Sequence, residues 1–337
     1  MPAPDAPDTL DLFAGPGGWS EGLRAFHGIT DIGVEWDAAA CQTRASARHR
    51  TVRADVAQIA TAPMVGRIRR LIASPPCQAW SRAGKQLGLE DQPLVHQAID
   101  DLARDRDTRA ELLAACKDPR SLLAAEPMRY LSGLRPEDVV MEEVPDALPL
   151  FRHYAEVLRS WGYSTWCGNL NAADYGVPQS RRRAILIASR LRTAQPPEPT
   201  HTEYGEEGSL FGEARARWVS MAEGIGWGAT DRPAPTVTAG GGKTGGAEPF
   251  PTQARRALAE SRDRGLWKGR TAAPDTARIT VQEAGLLQSF PTGYPWQGTQ
   301  TKQYEQAGNA VPPLLAAHVA AAAFGLPQPR PAVAAAV

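Results

Sequence analysis

The chain has 337 residues, of which 42% are hydrophobic and 22% are charged, as in an ordinary globular protein of one or two domains. Its 37 basic and 37 acidic residues cancel, so nucleic-acid binding would need local clusters of Arg and Lys. The four Cys residues are scattered, which argues against a zinc site and a disulfide framework. No apolar run approaches the ~18 residues of a membrane span, and the N-terminus lacks signal-peptide features. We therefore expect a cytoplasmic protein that has no membrane segment and no metal.

Short apolar runs alternate with longer helical patterns from about residue 8 to residue 190. The predicted strands are Thr9–Phe13, Ile29–Glu35, Ile68–Ala73, Asp138–Glu142 and Arg183–Ile187. The predicted helices between them are Trp19–Phe26, Ala38–Ala47 and Tyr154–Trp161. Strands that alternate with helices predict an α/β fold with a doubly wound, parallel sheet in residues 8–190.

The composition changes after about residue 190. Pro, Gly and polar residues dominate residues 191–277, which predicts a smaller and irregular second domain. A helical pattern returns with Val281–Leu287 and Pro313–Phe324, and residues 278–326 are expected to return to the first domain. Residues 1–7 and 327–337 read as loose tails.

A Gly-rich turn at residues 15–18 joins the first predicted strand to the first helix. It has neither the Gly-x-Gly-x-x-Gly spacing of dinucleotide sites nor the Gly-Lys-Ser/Thr of a phosphate loop, so a pyrophosphate cradle is not expected. Glu35, at the end of the next strand, could accept hydrogen bonds from ribose hydroxyls. Trp36 could stack on a base, and Asp55 could accept from an exocyclic amine. These residues favour a nucleoside without phosphates, for which S-adenosylmethionine is the obvious candidate; a purely structural turn is the alternative.

Cys77 follows two prolines, Pro75 and Pro76, directly after the predicted strand Ile68–Ala73. Proline fixes its own φ and pushes the preceding residue toward extended geometry, so the turn is stiff. The thiol is therefore presented at the carboxyl end of a strand, where open α/β sheets bind their ligands. This position suits nucleophilic attack. An ordinary buried Cys beside a turn is the alternative reading.

Together these motifs resemble, in order along nearly the whole chain, those of the DNA cytosine-5 methyltransferases. The matching segments are Asp11–Gly18, Glu35-Trp36, Asp55-Val56, Pro75–Gln78, Met141–Pro145, Tyr175–Arg183, Arg278–Pro291 and Gln306–Pro313. The resemblance implies a Rossmann-like, S-adenosylmethionine-dependent methyltransferase domain and a target-recognition domain at residues 191–277. It also implies methyl transfer to C5 of a cytosine that is flipped out of double-stranded DNA.

The resemblance assigns four catalytic residues. Cys77 would attack C6 of the cytosine, and Glu142 would hydrogen-bond ring N3 and the exocyclic amine. Arg183 would reach the cytosine O2, while Arg181 would organise Glu142 and the backbone. The expected cofactor contacts are Phe13, Ala14, Gly15, Gly17, Gly18, Glu35, Trp36, Asp55, Val56, Pro76, Asn309 and Val311.

The DNA contacts are the least determined part of the resemblance. The expected residues are Gln78, Ser81, Gln179, Thr236, Arg255 and Arg256. The last two belong to a local excess of basic residues in Pro251–Arg270, for which a solvated helix face is the alternative. The recognition sequence stays open, because many arginines could read guanine. A monomer is expected, near the nucleoid, and a cognate restriction endonuclease is one possible partner.

Two features depart from the family pattern. Glu143 stands where the family usually has Asn, and a carboxylate can only accept hydrogen bonds unless it is protonated. The segment of residues 82–120 is longer than in compact members, and Leu94–Ala115 reads as one or two inserted helices. These helices are either part of a lid over the base or decoration.

Three alternative functions remain. A transfer-RNA methyltransferase would carry the same catalytic motifs, but the large second domain with its basic stretch favours DNA. A catalytically silent DNA-binding relative is disfavoured because Cys77, Glu142 and the cofactor residues are all present. A metabolic oxidoreductase is disfavoured because the dinucleotide pattern is missing.

Overall fold

A computed structural model describes residues 6–76, 90–208, 214–239, 250–270 and 277–329. Its central sheet consists of β1 (Thr9–Leu12), β2 (Asp31–Glu35), β3 (Thr51–Arg53), β4 (Arg70–Ala73), β5 (Asp138–Glu143), β6 (Ser164–Asn171) and β7 (Arg182–Ser189). The order across the sheet is β3-β2-β1-β4-β5-β7-β6. Strands β1 to β5 pair in parallel, and β7 runs antiparallel to both of its neighbours.

Helices make up most of the remaining regular structure. They are α1 (Gly18–Leu23), α2 (Ala38–Ser46), α3 (Gln92–Ala103), α4 (Arg109–Ala115), α5 (Glu126–Leu134), α6 (Leu148–Ser160), α7 (Met221–Ile225), α8 (Thr252–Asp263), α9 (Val281–Leu287), α10 (Gln300–Asn309) and α11 (Pro313–Phe324). Short 3-10 helices lie at Val56–Gln58, Ala62–Met64, Pro119–Ala125, Pro145–Ala147 and Ala172–Tyr175. Two small strand pairs join β8 (His201–Thr202) to β9 (Ala216–Arg217) and β10 (Gly228–Ala229) to β11 (Trp267–Lys268).

Both faces of the sheet are covered, because side chains alternate between the two faces along each strand. Leu10 and Leu12 of β1 pack into a core with α3, α5 and α6. Ile72 of β4 and Val140 of β5 pack into a core on the opposite face with α1 and α11. This arrangement confirms the predicted α/β fold with a doubly wound sheet, but the sheet is only mostly parallel, because the predicted strand at Arg183–Ile187 is the antiparallel β7.

A third core lies outside the sheet. It joins buried side chains of residues 221–258 to buried side chains of residues 277–310. At its centre the rings of Phe290, Tyr294 and Trp296 pack against one another with centroids 4.6–4.9 Å apart. Helix α11 lies beyond this core and returns to the sheet, where it packs on α1.

Several elements differ from the sequence prediction. Strands β3 and β6 were not predicted, because one is short and largely exposed and the other is half-buried with polar residues among its apolar ones. Helix α6 begins at Leu148 rather than Tyr154, since Pro149 is accommodated in its first turn. The inserted segment forms two helices, α3 and α4.

One helical stretch, Gln300–Phe324, is long and apolar enough to cross a membrane by length and composition. In its most apolar window 83% of the residues are buried inside the protein. The core helices of a globular domain are also long, apolar and mostly buried, and α11 is such a core helix.

Candidate active site

One cavity of about 540 Å³ lies where several strands of the sheet end. Its wall includes Ala14 after β1, Trp36 after β2, Pro75 after β4 and Glu142 of β5. Strand order reverses between β1 and β4, and α/β sheets bind ligands at such a switch point. The volume falls in the range of small-molecule sites.

The Gly-rich turn is shaped by close approach of the chain's C-terminal part. Gly17 precedes α1 in the left-handed region with φ of 108°, which glycine adopts without strain. A Cβ on Gly18 would lie 2.1 Å from the carbonyl oxygen of Val311. A side chain is therefore excluded at Gly18, and the Val311 backbone closes the cavity from the far end of the sequence.

Glu35 is bound to the backbone of both loops that line the cavity. Its Oε2 accepts from the Gly15 N–H at 2.8 Å, and its Oε1 accepts from the N–H groups of Trp36 and Asp37, each at 2.7 Å. A carboxylate offers about four lone-pair positions, so Oε2 keeps the capacity to accept from a ligand hydroxyl. The predicted ribose contact thus lies on the cavity wall with its orientation fixed.

Trp36, Asp55 and Val56 lie beside Glu35 on the same wall. The indole of Trp36 is 70% exposed, which leaves a ring face for stacking. Asp55 caps the 3-10 helix Val56–Gln58 through its Oδ1, which accepts from the Ala57 N–H at 2.9 Å. All three side chains were expected to contact a nucleoside, and the structure brings them to one end of the cavity.

Glu142 and Arg183 occupy the other end of the cavity. The Arg183 Nε lies 3.0 Å from Glu142 Oε1, and both side chains are largely buried. Pro76 also lines this end. Cys77, Gln78 and Ser81 lie outside the described residues. The indole of Trp19 donates to the Ser74 hydroxyl at 2.9 Å, and this bond ties α1 to the Ser74–Pro76 segment that leads to Cys77.

Glu143 also borders the cavity, next to the paired Glu142. Its Oε2 accepts from the N–H of Val144. Burial raises the pKa of Glu143 well above its ordinary value, and the negative charge of Glu142 raises this pKa further. Arg183 opposes that shift but is already paired with Glu142. The raised pKa favours the protonated form of Glu143, and a protonated carboxyl group, unlike a carboxylate, can donate a hydrogen bond.

Asp11 is a second buried acid, in β1 beneath the Gly-rich turn. Neither of its carboxylate oxygens has a hydrogen-bond partner among the residues the structure describes. Burial raises the pKa of Asp11 well above its ordinary value, although the nearby Arg44 guanidinium lowers it. Arg44 itself donates to Ala14 O and Ser20 Oγ, so it holds the turn against the sheet.

Arg181 lies behind the cavity and connects three parts of the chain. Its guanidinium is 1% exposed and donates to the carbonyl oxygens of Val237 at 3.0 Å, Gly308 at 2.8 Å and Ala310 at 3.1 Å. The last two residues flank Asn309, which lines the cavity. Arg181 was expected to organise the backbone, and these three bonds to carbonyl oxygens are consistent with that role. Its expected role toward Glu142 stays a prediction.

Comparison with known proteins identifies the family. A model of the C-5 cytosine-specific DNA methylase family matches residues 8–99, 112–215 and 226–325. The chain belongs to this family. Type II methyltransferase M1.HphI of Haemophilus parahaemolyticus is 29% identical over 93% of this chain and 85% of its own length. Type II methyltransferase M.HgiDI of Herpetosiphon aurantiacus is 27% identical over 96% of each chain.

Solved structures share the fold. The Entamoeba histolytica methyltransferase EhMeth superposes with a TM-score of 0.61 at 15% identity, covering 95% of this chain and 98% of that one. The Dnmt2 methyltransferase of S. pombe gives a TM-score of 0.61 at 15% identity, covering 94% and 98%. The Rossmann-like methyltransferase fold expected from the sequence is confirmed. As a C-5 cytosine-specific DNA methylase, the chain is an enzyme that acts on DNA and takes its methyl group from S-adenosylmethionine.

The cavity of this C-5 cytosine-specific DNA methylase fits S-adenosylmethionine. Glu35 Oε2 offers an acceptor for a ribose hydroxyl, and Trp36 offers an exposed ring for adenine. A Cβ on Gly15 would meet nothing within 4 Å, so the turn leaves open space at this point. No Lys follows the Gly-rich turn to bind a phosphate. This donor and acceptor set suits a nucleoside without phosphates.

The described residues that were expected to contact DNA, unlike the expected cofactor residues, do not lie together at the cavity. Gln179 is fully buried, and its amide bonds to Leu287 O, Gln288 Oε1 and the Val237 N–H. In this position it cannot touch DNA, because every polar atom of the amide is engaged inside the protein. The half-buried Thr236 donates its hydroxyl to Ser180 O at 2.7 Å. Arg255 and Arg256 lie on α8, with Arg256 exposed.

The sequence did not point to several residues that line the cavity. They are Asp37, Ser74, Arg120, Leu123, Lys302 and Glu305. Lys302 bridges Asp37 at 3.0 Å and Glu305 at 3.1 Å, so an ion-pair cluster borders the mouth beside Trp36. The i,i+3 spacing of Lys302 and Glu305, just before the Gln306–Pro313 motif, is the signal that could have indicated them.

Proposed function

We propose that this protein methylates C5 of a flipped-out cytosine in double-stranded DNA through a transient covalent bond from Cys77 to C6. The observation that supports this proposal is that one cavity is lined both by Glu35 and by the ion pair Glu142–Arg183. Group transfer requires that donor and acceptor meet in one enclosed space. A cavity that ended at Glu35 would serve binding alone.

The cofactor would be held by the residues of the nucleoside wall. Glu35 accepts from the ribose, Trp36 stacks on adenine, and Asp55 accepts from the adenine amine. The Gly-rich turn and the segment that contains Asn309 and Val311 enclose the remainder. When bound there, S-adenosylmethionine supplies an electrophilic methyl group.

The protein's part in the chemistry is to make C5 nucleophilic. The Cys77 thiolate forms a bond to C6, and the displaced electron pair builds up over the ring toward C5 and N3. Glu142 hydrogen-bonds the N3 edge and the exocyclic amine, and Arg183 contacts the cytosine O2. The ion pair at 3.0 Å keeps Glu142 oriented for this task. After methylation C5 would lose its proton to solvent, the electron pair of that C–H bond would restore the C5–C6 double bond, and the C6–S bond would break to regenerate the thiolate.

The target base must leave the duplex, because the cavity lies at the end of strands and below the protein surface. Residues 191–277 would form the target-recognition domain, and α8 would bring Arg255 and Arg256 to the phosphates. The relatives M1.HphI and M.HgiDI are named Type II methyltransferases. By analogy this chain would protect DNA beside a cognate restriction endonuclease.

Labelled methyl transfer tests the reaction. Purified protein, labelled S-adenosylmethionine and unmethylated genomic DNA should give label in DNA cytosine, and bisulfite sequencing of the product should define the site. Cys77→Ser should abolish incorporation, and Glu142→Gln should lower kcat by about 10² to 10³. Glu137→Gln is the matched control, since Glu137 lies just before β5 and pairs with Arg69 at the protein surface. Label in transfer RNA and none in DNA would refute the proposed substrate.

A fluorinated base tests the covalent step. Fluorine at C5 cannot leave as a proton, so the bond from sulfur to C6 should persist on a duplex that carries 5-fluorocytosine at the site. Wild-type protein should then form a denaturation-resistant complex in the presence of S-adenosylmethionine. Methyl transfer to ordinary DNA without any trapped complex on the fluorinated duplex would contradict the covalent mechanism.

A further inference from the structure

The turn that contains Val56 is held by helix α5 from behind. The Arg129 guanidinium donates from Nη2 to Val56 O and from Nη1 to Ile59 O, each at 2.6 Å. The Tyr130 hydroxyl also donates to Val56 O, at 2.7 Å. Two successive residues of α5 therefore fix the carbonyls of the turn whose Asp55 and Val56 line the cavity.

A buried carboxylate joins this contact to helix α4 of the inserted segment. Glu126, 3% exposed, binds Arg129 Nε at 3.2 Å and Arg109 Nη1 at 2.7 Å. The same Nη1 of Arg109 lies 3.4 Å from Ala57 O. Glu126 thus contacts two guanidinium groups, of which that of Arg109 is also held by Asp107, and both groups reach the backbone of the same turn.

The chemistry of this cluster suits precise positioning. A planar guanidinium donates in fixed directions, so it holds carbonyl oxygens in place better than a Lys ammonium does. The largely buried ion pairs keep both guanidinium groups from reorienting into solvent. Neither Arg109 nor Arg129 lines the cavity, so their effect on a ligand must pass through the turn.

We propose that Glu126, Arg109 and Arg129 are positioning residues that set the affinity for S-adenosylmethionine by fixing the turn at Asp55 and Val56. The inserted helix α4 is then a support of the cofactor site, neither decoration nor cover. The inference rests on the proposed function, because it takes this turn as the adenine end of the cofactor site.

Arg129→Lys and Arg109→Lys test the inference, since both keep the positive charge beside Glu126. Calorimetry with S-adenosylmethionine and with S-adenosylhomocysteine should show Kd raised about tenfold for Arg129→Lys, and less for Arg109→Lys, whose bond to the turn is longer. At saturating cofactor, kcat should stay within about twofold of wild type. Arg135→Lys, at the C-terminal end of the same helix, should bind both ligands as wild type does.

The outcomes separate the inference from the proposed function. A wild-type Kd for Arg129→Lys, together with a raised Kd for Asp55→Ala, would overturn the positioning role and leave the adenine site intact. A wild-type Kd for Asp55→Ala would instead refute the adenine site on which the inference rests. A raised Kd together with a lower kcat and a lower Tm in Arg129→Lys would indicate general structural damage and would also overturn the inference.

Discussion

Replacing Arg181 by Met should weaken both the fold and the cofactor site. The buried guanidinium donates to the carbonyl oxygens of Val237, Gly308 and Ala310. Val237 belongs to the core outside the sheet, and the other two carbonyls flank the cavity-lining Asn309. Met has similar length and no donor, so it leaves three buried acceptors without this partner.

The magnitude follows from those three bonds. A hydrogen bond from a charged donor contributes about 1.5–3 kcal/mol, and the carbonyls left behind are buried away from water. We expect the free energy of unfolding to fall by about 5 kcal/mol, near the lower end of the sum for three such bonds and a large part of the stability of a typical domain. The KM for S-adenosylmethionine should rise as well, because the segment around Asn309 loses its anchor. Arg181→Lys should recover part of both losses.

Urea unfolding followed by circular dichroism measures the first effect, and initial rates of methyl transfer measure the second. Arg182→Met is the matched control, since the Arg182 side chain is exposed, and it should change stability by less than about 0.5 kcal/mol. A loss below about 1 kcal/mol for Arg181→Met, at an unchanged m-value, would show that the three bonds do not hold the two cores together.

Three further predictions concern the cavity. Because the pKa of Glu143 is raised by burial and by Glu142, the folded protein keeps a proton that the unfolded chain releases above its ordinary pKa of 4.5. Wild-type stability should therefore decline as pH rises from about 4.5 toward the raised pKa of Glu143 in the folded protein. The Tm of Glu143→Gln minus the Tm of wild type should increase from pH 5 to pH 8. A difference that shrinks over this range would contradict a raised pKa for Glu143. Trp36→Ala should raise the KM for S-adenosylmethionine about tenfold and leave the Tm unchanged, since the indole is 70% exposed; a large loss of Tm would assign the ring to packing. Gly18→Ala should cost about 2 kcal/mol or more in unfolding free energy, because its methyl would lie 2.1 Å from Val311 O; wild-type stability would show that the C-terminal segment is not fixed there.

The sheet could be predicted because its central strands are apolar and buried on both faces. Val139, Val140 and Met141 of β5 are all fully buried, and a short apolar run of this kind is typical of a central strand in a parallel sheet. The edge strand β6 has no comparable signal, since Trp166, Gly168 and Asn169 give it a mixed pattern with only partial burial. Tertiary pairing with β7, and not local propensity, makes it a strand.

The position of Glu35 could be predicted for a similar reason, because it ends a predicted strand and the carboxyl ends of parallel strands meet at one edge of a sheet. Asp55 follows β3, which the sequence did not indicate, so its position rested on the family resemblance. The sequence could not show whether the side chains of Gln179 and Thr236 face DNA or the protein interior, because the surrounding residues do not indicate which amide or hydroxyl points inward. The support of the turn by Arg129 was equally hidden, since a helical Arg that bonds to carbonyls some 70 residues earlier leaves no local pattern.

Gln179 and Arg181 connect the core outside the sheet to the strand that carries Arg183. Both side chains project inward just before β7, and both bond to the backbone of Val237, which belongs to the core outside the sheet. Arg183, the second residue of β7, pairs with Glu142 in the cavity. A shift of this core against the sheet would strain the bonds of Gln179 and Arg181 just before β7, the strand that carries Arg183. We expect substitutions of Arg181 to change the KM for DNA as well as the KM for the cofactor, whereas substitutions of Trp36 should change the KM for the cofactor alone.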